Sequence, residues 1–192
     1  MAPGIWNQVT MISYRLDDQP ATYEQILKLQ AINARESTTP EVWKDQGFVT
    51  ARHTPELLDQ IHGGYGHLVA FADDRVVGYG LVMLPQFAEM IPVLTPMFVR
   101  IEKIAEAQGN PDWMPYVAMG QVCVAESHRG QGVFQGLYDH YRLNLQRNFR
   151  SVITEVSSEN PRSLRAHYRQ GFVVMETRTG SNGVWQLVRW DF

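Results

Sequence analysis

The sequence predicts an α/β fold in which helices cover both faces of one mixed central sheet. Three observations carry that expectation. Short β-favourable apolar runs alternate with stretches of helical periodicity along the chain. A strand, a glycine-bearing turn and a helix follow one another without interruption from Tyr116 to Tyr138. The chain closes on two further β-favourable runs around Gly180-Ser181-Asn182-Gly183, a hairpin composition. A length of 192 residues suits one domain, 1–192, with a helical insertion at about 85–115.

In chain order, Thr10–Leu16 is a candidate first strand. Pro20 then opens a helical stretch to about Ser37, with Tyr23, Ile26, Leu27, Gln30, Ala31 and Ala34 on one stripe. Thr39-Pro40-Glu41 and Thr54-Pro55-Glu56 each combine a hydroxyl cap, a proline at the first helical position and an acid in the first turn, so each starts a helix. The second of these ends at His62-Gly63-Gly64. Gly66–Ala72 and Val76–Leu84 form a hairpin turning at Asp73-Asp74-Arg75. The long connection 85–115 holds five prolines and one helical pattern, about Pro96–Gln108. Tyr116–Val124 is the next strand, and from Val133 the residues Val133, Phe134, Leu137 and Tyr141 recur at helical spacing. Ser151–Val156 reads as a buried strand. Asn160-Pro161 opens a helix that stops at Gly171, and Phe172–Thr177 with Val184–Trp190 make the closing hairpin.

Composition narrows the function classes. At 44% hydrophobic and 19% charged residues the chain is of ordinary globular type. A lone cysteine, Cys123, leaves no internal disulfide and no cysteine-rich metal site, and its place within a strand favours a buried structural thiol over a nucleophile. His53, His62, His67, His128 and His140 lack metal-ligand spacing, so no metal is expected. No apolar run reaches membrane-spanning length and the first residues lack signal-peptide character, so a cytoplasmic protein without a membrane partner is expected. Charge is uneven: residues 1–128 hold 8 Lys and Arg against 15 Asp and Glu, a net −7, whereas residues 129–192 hold 9 Arg against 5 acids, a net +4. That half suits an anionic ligand, while the whole chain is too acidic for a nucleic-acid partner.

The segment Arg129-Gly130-Gln131-Gly132-Val133 joins a strand to a helix start. Main-chain N–H groups there have no intrahelical partner, and glycines let a phosphate approach them closely. Spelled this way after an apolar strand, the segment resembles the pyrophosphate loop of the GNAT superfamily of acyl-CoA-dependent N-acetyltransferases, usually Arg/Gln-x-x-Gly-x-Gly/Ala. Arg129 and Gly132 match, and Phe134 stands where the family has Gly or Ala. A second segment, E-N-P-R-S-L-R-A-H-Y-R-Q-G-F, resembles the family's Asn-x-x-Ala/Ser-x-x-x-Tyr-x-x-x-Gly-Phe signature, with Asn160, Ser163, Gly171 and Phe172 in register. The order of elements also matches the family nearly end to end.

The resemblance implies acetyl-CoA as co-substrate in a cleft between the strand ending near Val124 and the strand ending near Val156. Arg129, Gly130, Gln131, Gly132, Val133 and Phe134 would surround its pyrophosphate. Val122, Cys123 and Val124 would pair with the pantetheine arm and supply an oxyanion donor, and Asn160 and Ser163 would face pantetheine. Asn160 serves equally well as a helix cap. The family's tyrosine, the usual acid, falls at His167 here, with Tyr168 one residue later and about 100° around the helix; both are candidates for protonating the thiolate, and a structural hydrogen bond explains His167 equally well. Glu36, Glu89 and Glu155 are the carboxylates available as a base. The implied activity is transfer of an acetyl group to a small-molecule or peptide amine, with a homodimer as a further candidate partner. The alternative is an acyl-CoA-binding member of the same fold that senses or regulates without turnover.

Overall fold

The computed structural model describes residues 11–37, 39–109, 111–180 and 183–192. Seven strands, β1 (Ile12–Asp17), β2 (His67–Ala72), β3 (Arg75–Met83), β4 (Tyr116–Val124), β5 (Ser151–Ser157), β6 (Val173–Gly180) and β7 (Gly183–Asp191), build one sheet in the order β1-β2-β3-β4-β5-β7-β6. Every neighbouring pair is antiparallel except β4 and β5, which run parallel.

Among the described residues six α-helices cover this sheet: α1 (Pro20–Ile32), α2 (Pro40–Gln46), α3 (Pro55–Ile61), α4 (Thr95–Gln108), α5 (Val133–Leu145) and α6 (Pro161–Gln170). The sheet's alternation sends successive side chains to opposite faces, producing two cores. On one face Tyr23, Ile26 and Leu29 of α1, Leu58 and Ile61 of α3, and Met97, Phe98 and Ile101 of α4 meet Tyr79, Leu81, Ala118 and Ile153. On the other, Leu137, Tyr138, Tyr141 and Leu145 of α5 and Leu164 of α6 meet Val82, Val117, Val152 and Val188. Burying side chains of this size contributes about 1.5–3 kcal/mol each, so both layers are held by many such contacts. The α/β class with helices on both faces is therefore observed.

Two departures from the expected elements have local causes. The first helix ends at Ile32, not near Ser37. Beyond it Asn33 folds its side-chain amide back onto Leu29 O at 2.9 Å, and Ala34 bridges in parallel to Val49, whose N–H donates to Asn33 O at 2.9 Å. Backbone partners from the chain after α2 replace the next helical turn, and Arg35–Ser37 becomes a short 3₁₀ turn. In the insertion, a 3₁₀ segment Pro85–Met90 precedes α4. Thr10 of the expected first strand, and Ser181 and Asn182 of the expected hairpin turn, lie outside the described residues.

What positions the site is a fork. The β4–β5 ladder has rungs only at Tyr116–Ser151, Val117–Val152 and Ala118–Ile153. At the next position the Thr154 hydroxyl donates to Met119 O at 2.9 Å, and past it the two strands part. The β3–β4 register shifts at the same level, where Gly120 and Gln121 together face Leu81, a β-bulge that bends β4 away from β5.

Candidate active site

A cleft of about 520 Å³ opens where the strands part. Its floor is Val122, Cys123 and Val124 of β4; one wall is Arg129, Gly130 and Gly132 with the start of α5, the other is α6, and Asn33 with Gln46–Val49 closes one side.

The glycine loop is shaped by its backbone. Gly130 and Gly132 have φ of +74° and +79°, a region L side chains avoid, and a Cβ on either would meet no atom within 4 Å. The glycines are required by conformation, and open space lies beside them. The first helical bond of α5 runs from Gly136 N to Gly132 O, so the N–H groups of Val133, Phe134 and Gln135 lie at the helix mouth without intrahelical acceptors. Helix dipole and free donors together make this end electropositive.

Arg129 serves the scaffold. Its guanidinium donates to Val124 O at 3.0 Å, to Gln46 Oε1 and to Asn33 Oδ1, tying the end of β4 to α1 and α2. Gln131 folds back onto Ser127 O at 2.8 Å, and Val133 is buried against Gly78. The half-buried Phe134 lines the cleft, its ring against Tyr138 and His167, with centroids 4.9 and 5.1 Å apart.

On the opposite wall Asn160 caps α6, accepting from Ser163 N at 3.1 Å, while its amide donates to Phe48 O at 3.0 Å. Gly47 crosses so close that a Cβ there would lie 2.9 Å from Asn160 Oδ1. Capping and lining are thus both true of Asn160. Asn160 and Ser163 line the cleft, and His167 shares their face: its Nδ1 lies 2.8 Å from Ser163 O and 3.3 Å from Ser163 Oγ.

His167 nevertheless stays beneath the cleft. It is 1% exposed, ringed by Phe134, Tyr138 and Phe172. A carbonyl only accepts, so Nδ1 carries the proton given to Ser163 O, and Nε2 accepts from the Tyr138 hydroxyl at 2.8 Å. Burial pushes its pKa down to about 4. The ring is therefore neutral near pH 7 and its one N–H is engaged. Tyr168 points elsewhere, its hydroxyl donating to Gln186 on β7. Neither side chain, each a candidate for protonating a leaving group, lines the cleft.

The three candidate bases are also absent from the lining. Glu36 pairs with Arg52 at 2.6 Å, and Glu89 is exposed on the 3₁₀ segment. Glu155 is buried with both carboxylate oxygens accepting from guanidinium groups of Arg100 and Arg178. Burial pushes the Cys123 thiol up to about 12, so it is no nucleophile near neutrality.

Sequence reasoning missed a polar cluster behind the bulge. Gln121 donates to Ala51 O at 2.9 Å and accepts from Gln30 Nε2 at 2.8 Å and the Tyr79 hydroxyl at 2.6 Å. Gln30 Oε1 accepts from His53 N, so its amide nitrogen donates to His53 Nδ1 at 2.8 Å, leaving the His53 proton on Nε2. That N–H is buried without a partner among the described residues, and desolvation lowers the His53 pKa to about 4. Gln46, Gly47 and Phe48 were missed as well; Gly47, at φ +72° after α2, was the one legible signal.

A family model, Acetyltransferase (GNAT) family, matches residues 28–172. The chain belongs to the GNAT acetyltransferase family. No curated protein matches it in sequence. Among solved structures, the GNAT fold here superposes on Ard1 from Thermoplasma volcanium with a TM-score of 0.61 at 16% identity, covering 94% of this chain and 97% of that one. Naa50 from Arabidopsis thaliana, in complex with the bisubstrate analogue CoA-Ac-MVNAL, gives 0.61 at 13% identity, with 94% and 99% covered. YncA from Salmonella typhimurium, a putative acetyltransferase with its cofactor acetyl-CoA, gives 0.56 at 16%, with 94% of each covered. At these identities the superpositions show the GNAT fold. Among the described residues no group of His, Cys, Asp and Glu could hold a metal ion, and no helix is long and apolar enough to cross a membrane.

Proposed function

We propose that this GNAT protein transfers the acetyl group of acetyl-CoA to an amine, carried by a small molecule or a peptide. The observation that carries this reading is the fork itself: a strand edge without rungs beside a glycine loop with open space at its Cα positions. The fit to the ligand is chemical. Loop and helix-mouth N–H groups at 130–135 suit a diphosphate, the unpaired edge at Val122–Val124 suits the amide-bearing pantetheine arm, and Asn160 and Ser163 flank it.

In the reaction the amine nitrogen attacks the thioester carbonyl carbon, the C–S bond breaks, and the thiolate gains the proton the amine loses. Main-chain N–H groups beside the bulge, near Val122 and Cys123, would donate to the developing oxyanion. The buried neutral state of His167 supports a route in which water carries the protons at both ends; His167 then keeps Tyr138 and Phe134 in place. The Phe134 ring packs against Tyr138 and His167 at the cleft wall, which favours turnover over the sensing alternative.

The test is thiol release from acetyl-CoA across a panel of small amines and peptide N-termini. Amine-dependent release supports the reading. Tight acetyl-CoA binding with no release across the panel would favour the sensing role, and no binding would remove both.

A further inference from the structure

The rim of the cleft holds an aromatic corner that the chain fills with one of its own cations. Arg35, two residues past the lining residue Asn33, sets its guanidinium carbon 4.4 Å from the centre of the Trp43 ring and 5.2 Å from that of Phe48. Its Nη2 lies 2.6 Å from Oε2 of Glu159, which precedes the cap Asn160 and stands two residues beyond β5. Two aromatic faces and a carboxylate around one guanidinium are the parts of a cation site. The walls are held by bonds of their own. The Trp43 indole donates to the main-chain O of Arg35 at 3.3 Å, the Phe48 ring is buried, and Phe48 O accepts from Asn160. The occupant is held more loosely: the two ion-paired side chains are 32% and 48% exposed, and pairs so placed contribute little.

Resting on the acetyl-transfer reading above, we propose that Trp43, Phe48 and Glu159 form an acceptor subsite for a guanidinium group, which enters by displacing Arg35 while the amine of the same molecule is acetylated. The described lining of the cleft carries four arginines and no Asp or Glu, so it offers a cationic acceptor no counter-charge of its own. Glu159 supplies one at the rim, on the side where Gly47 and Phe48 meet Asn160. A flat guanidinium stacks on an indole and pairs with a carboxylate at the same time, whereas an ammonium is a compact, strongly hydrated point charge. Arg35 shows the flat group seated. It is then an internal competitor, and removing its side chain opens the corner to a guanidinium from outside. A purely structural staple, the bland explanation, gives the opposite: loss of Arg35 weakens the fold and brings no gain for any acceptor.

Thiol release from acetyl-CoA by the full chain, measured with guanidinobutylamine, diaminopentane and pentylamine, tests this on acceptors of similar length. Tripeptides with arginine or methionine at the second position repeat the comparison for a peptide carrier. Wild type should favour the guanidinium member of either series by about 10-fold in kcat/KM, carried by KM, as expected for one exposed, stacked ion pair. Glu159→Gln should remove most of that ratio. Arg35→Ala should raise it roughly 3-fold or more, because the corner is no longer part-occupied. A ratio near one in both wild type and Arg35→Ala overturns the proposal, as does a Glu159→Gln variant that keeps the full ratio. An Arg35→Ala ratio that stays or falls overturns it too, leaving Arg35 a staple. Equal rates for diaminopentane and guanidinobutylamine would mean charge without planarity and reject the guanidinium. That comparison needs only wild type, so a variant that fails to fold leaves the proposal open to refutation. If no acceptor in either series releases thiol, the acetyl-transfer reading fails and the subsite falls with it, a result distinct from release without preference.

Discussion

Lowering the pH from 7.5 to 5 should destabilise this protein through its buried histidines. Desolvation, the first cause in each case, depresses His53 and His167 to about 4 and His67 to about 3. Each ring is neutral by its hydrogen bonds as well: His67 accepts from Val82 N on Nδ1 and faces Leu58 O with Nε2, at 3.1 and 3.0 Å. In the unfolded chain all three titrate near ~6.5. Between ~6.5 and ~4 the unfolded state therefore binds protons that the folded state refuses, so stability is full above pH ~6.5 and falls as pH drops. Each histidine contributes a slope that approaches ~1.4 kcal/mol per pH unit, so three approach ~4, and from pH 7.5 to 5 the loss is ~6 kcal/mol. Against a typical total of about 5–15 kcal/mol, that removes much of the stability before carboxylates in unfolded chains begin to protonate near pH ~4. Urea unfolding at half-unit pH steps measures it directly. Replacing His167 by Gln should lower the slope by about a third. A wild-type slope below ~1.4 kcal/mol per unit between pH 6 and 5 would refute the reasoning, because not even one histidine would then be buried and neutral.

Three further outcomes follow from the site. Gly132→Val should leave the fold intact, since a Cβ there meets nothing, yet cut acetyl-CoA affinity at least ~10-fold by straining a φ of +79° and crowding the loop amides; an unchanged dissociation constant by calorimetry would remove the loop from the binding site. Gln121→Leu strips partners from Ala51 O, Gln30 and Tyr79, at ~1–3 kcal/mol for each buried group left unpaired, so Tm should fall by roughly 10 °C; an unchanged Tm in calorimetric melting would mean that these bonds do not brace the bulge. His167→Ala should lower stability by ~2–5 kcal/mol with little change in kcat for the folded fraction, and Tyr168→Phe should be nearly silent in both; a ~10²-fold or larger loss of kcat in the first would restore His167 as an acid.

What could be read in advance was local. The caps at Thr54 and Asn160, the left-handed glycines and the hairpin of β2 and β3 depend on residues a few positions apart, and each appears where its composition puts it. The same holds for the shared face of Asn160, Ser163 and His167, since helix periodicity alone sets it. Which side of that face would be wet was not local. Phe134 and Tyr138, ~30 residues earlier on α5, close over His167 and convert a cleft-facing position into a buried one. The bulge at Gly120–Gln121 was equally hidden, because it exists only relative to the pairing partner β3. The early end of α1 depended on Val49, a residue that must first be brought back by α2.

These nonlocal features converge on one physical result. Several acid–base candidates that the sequence offers are held out of such work: His167 by burial, Glu155 by two guanidinium groups, Glu36 by its pairing with Arg52, and Cys123, on the cleft floor, by desolvation of its thiol. What remains there is main-chain N–H, amide and hydroxyl side chains, and positive charge. Such a lining recognises phosphates and a polarised carbonyl, and its main-chain, amide and guanidinium donors keep their character across the neutral pH range. Catalysis in this setting is the placing of a thioester against fixed dipoles, whose advantage is that they need no reorganisation as charge develops. The fork explains why the dipoles are available. Had β4 and β5 stayed paired past Ala118, the same N–H and C=O groups would have been consumed by the sheet; the bulge and the Thr154–Met119 bond end the ladder just where the donors are wanted.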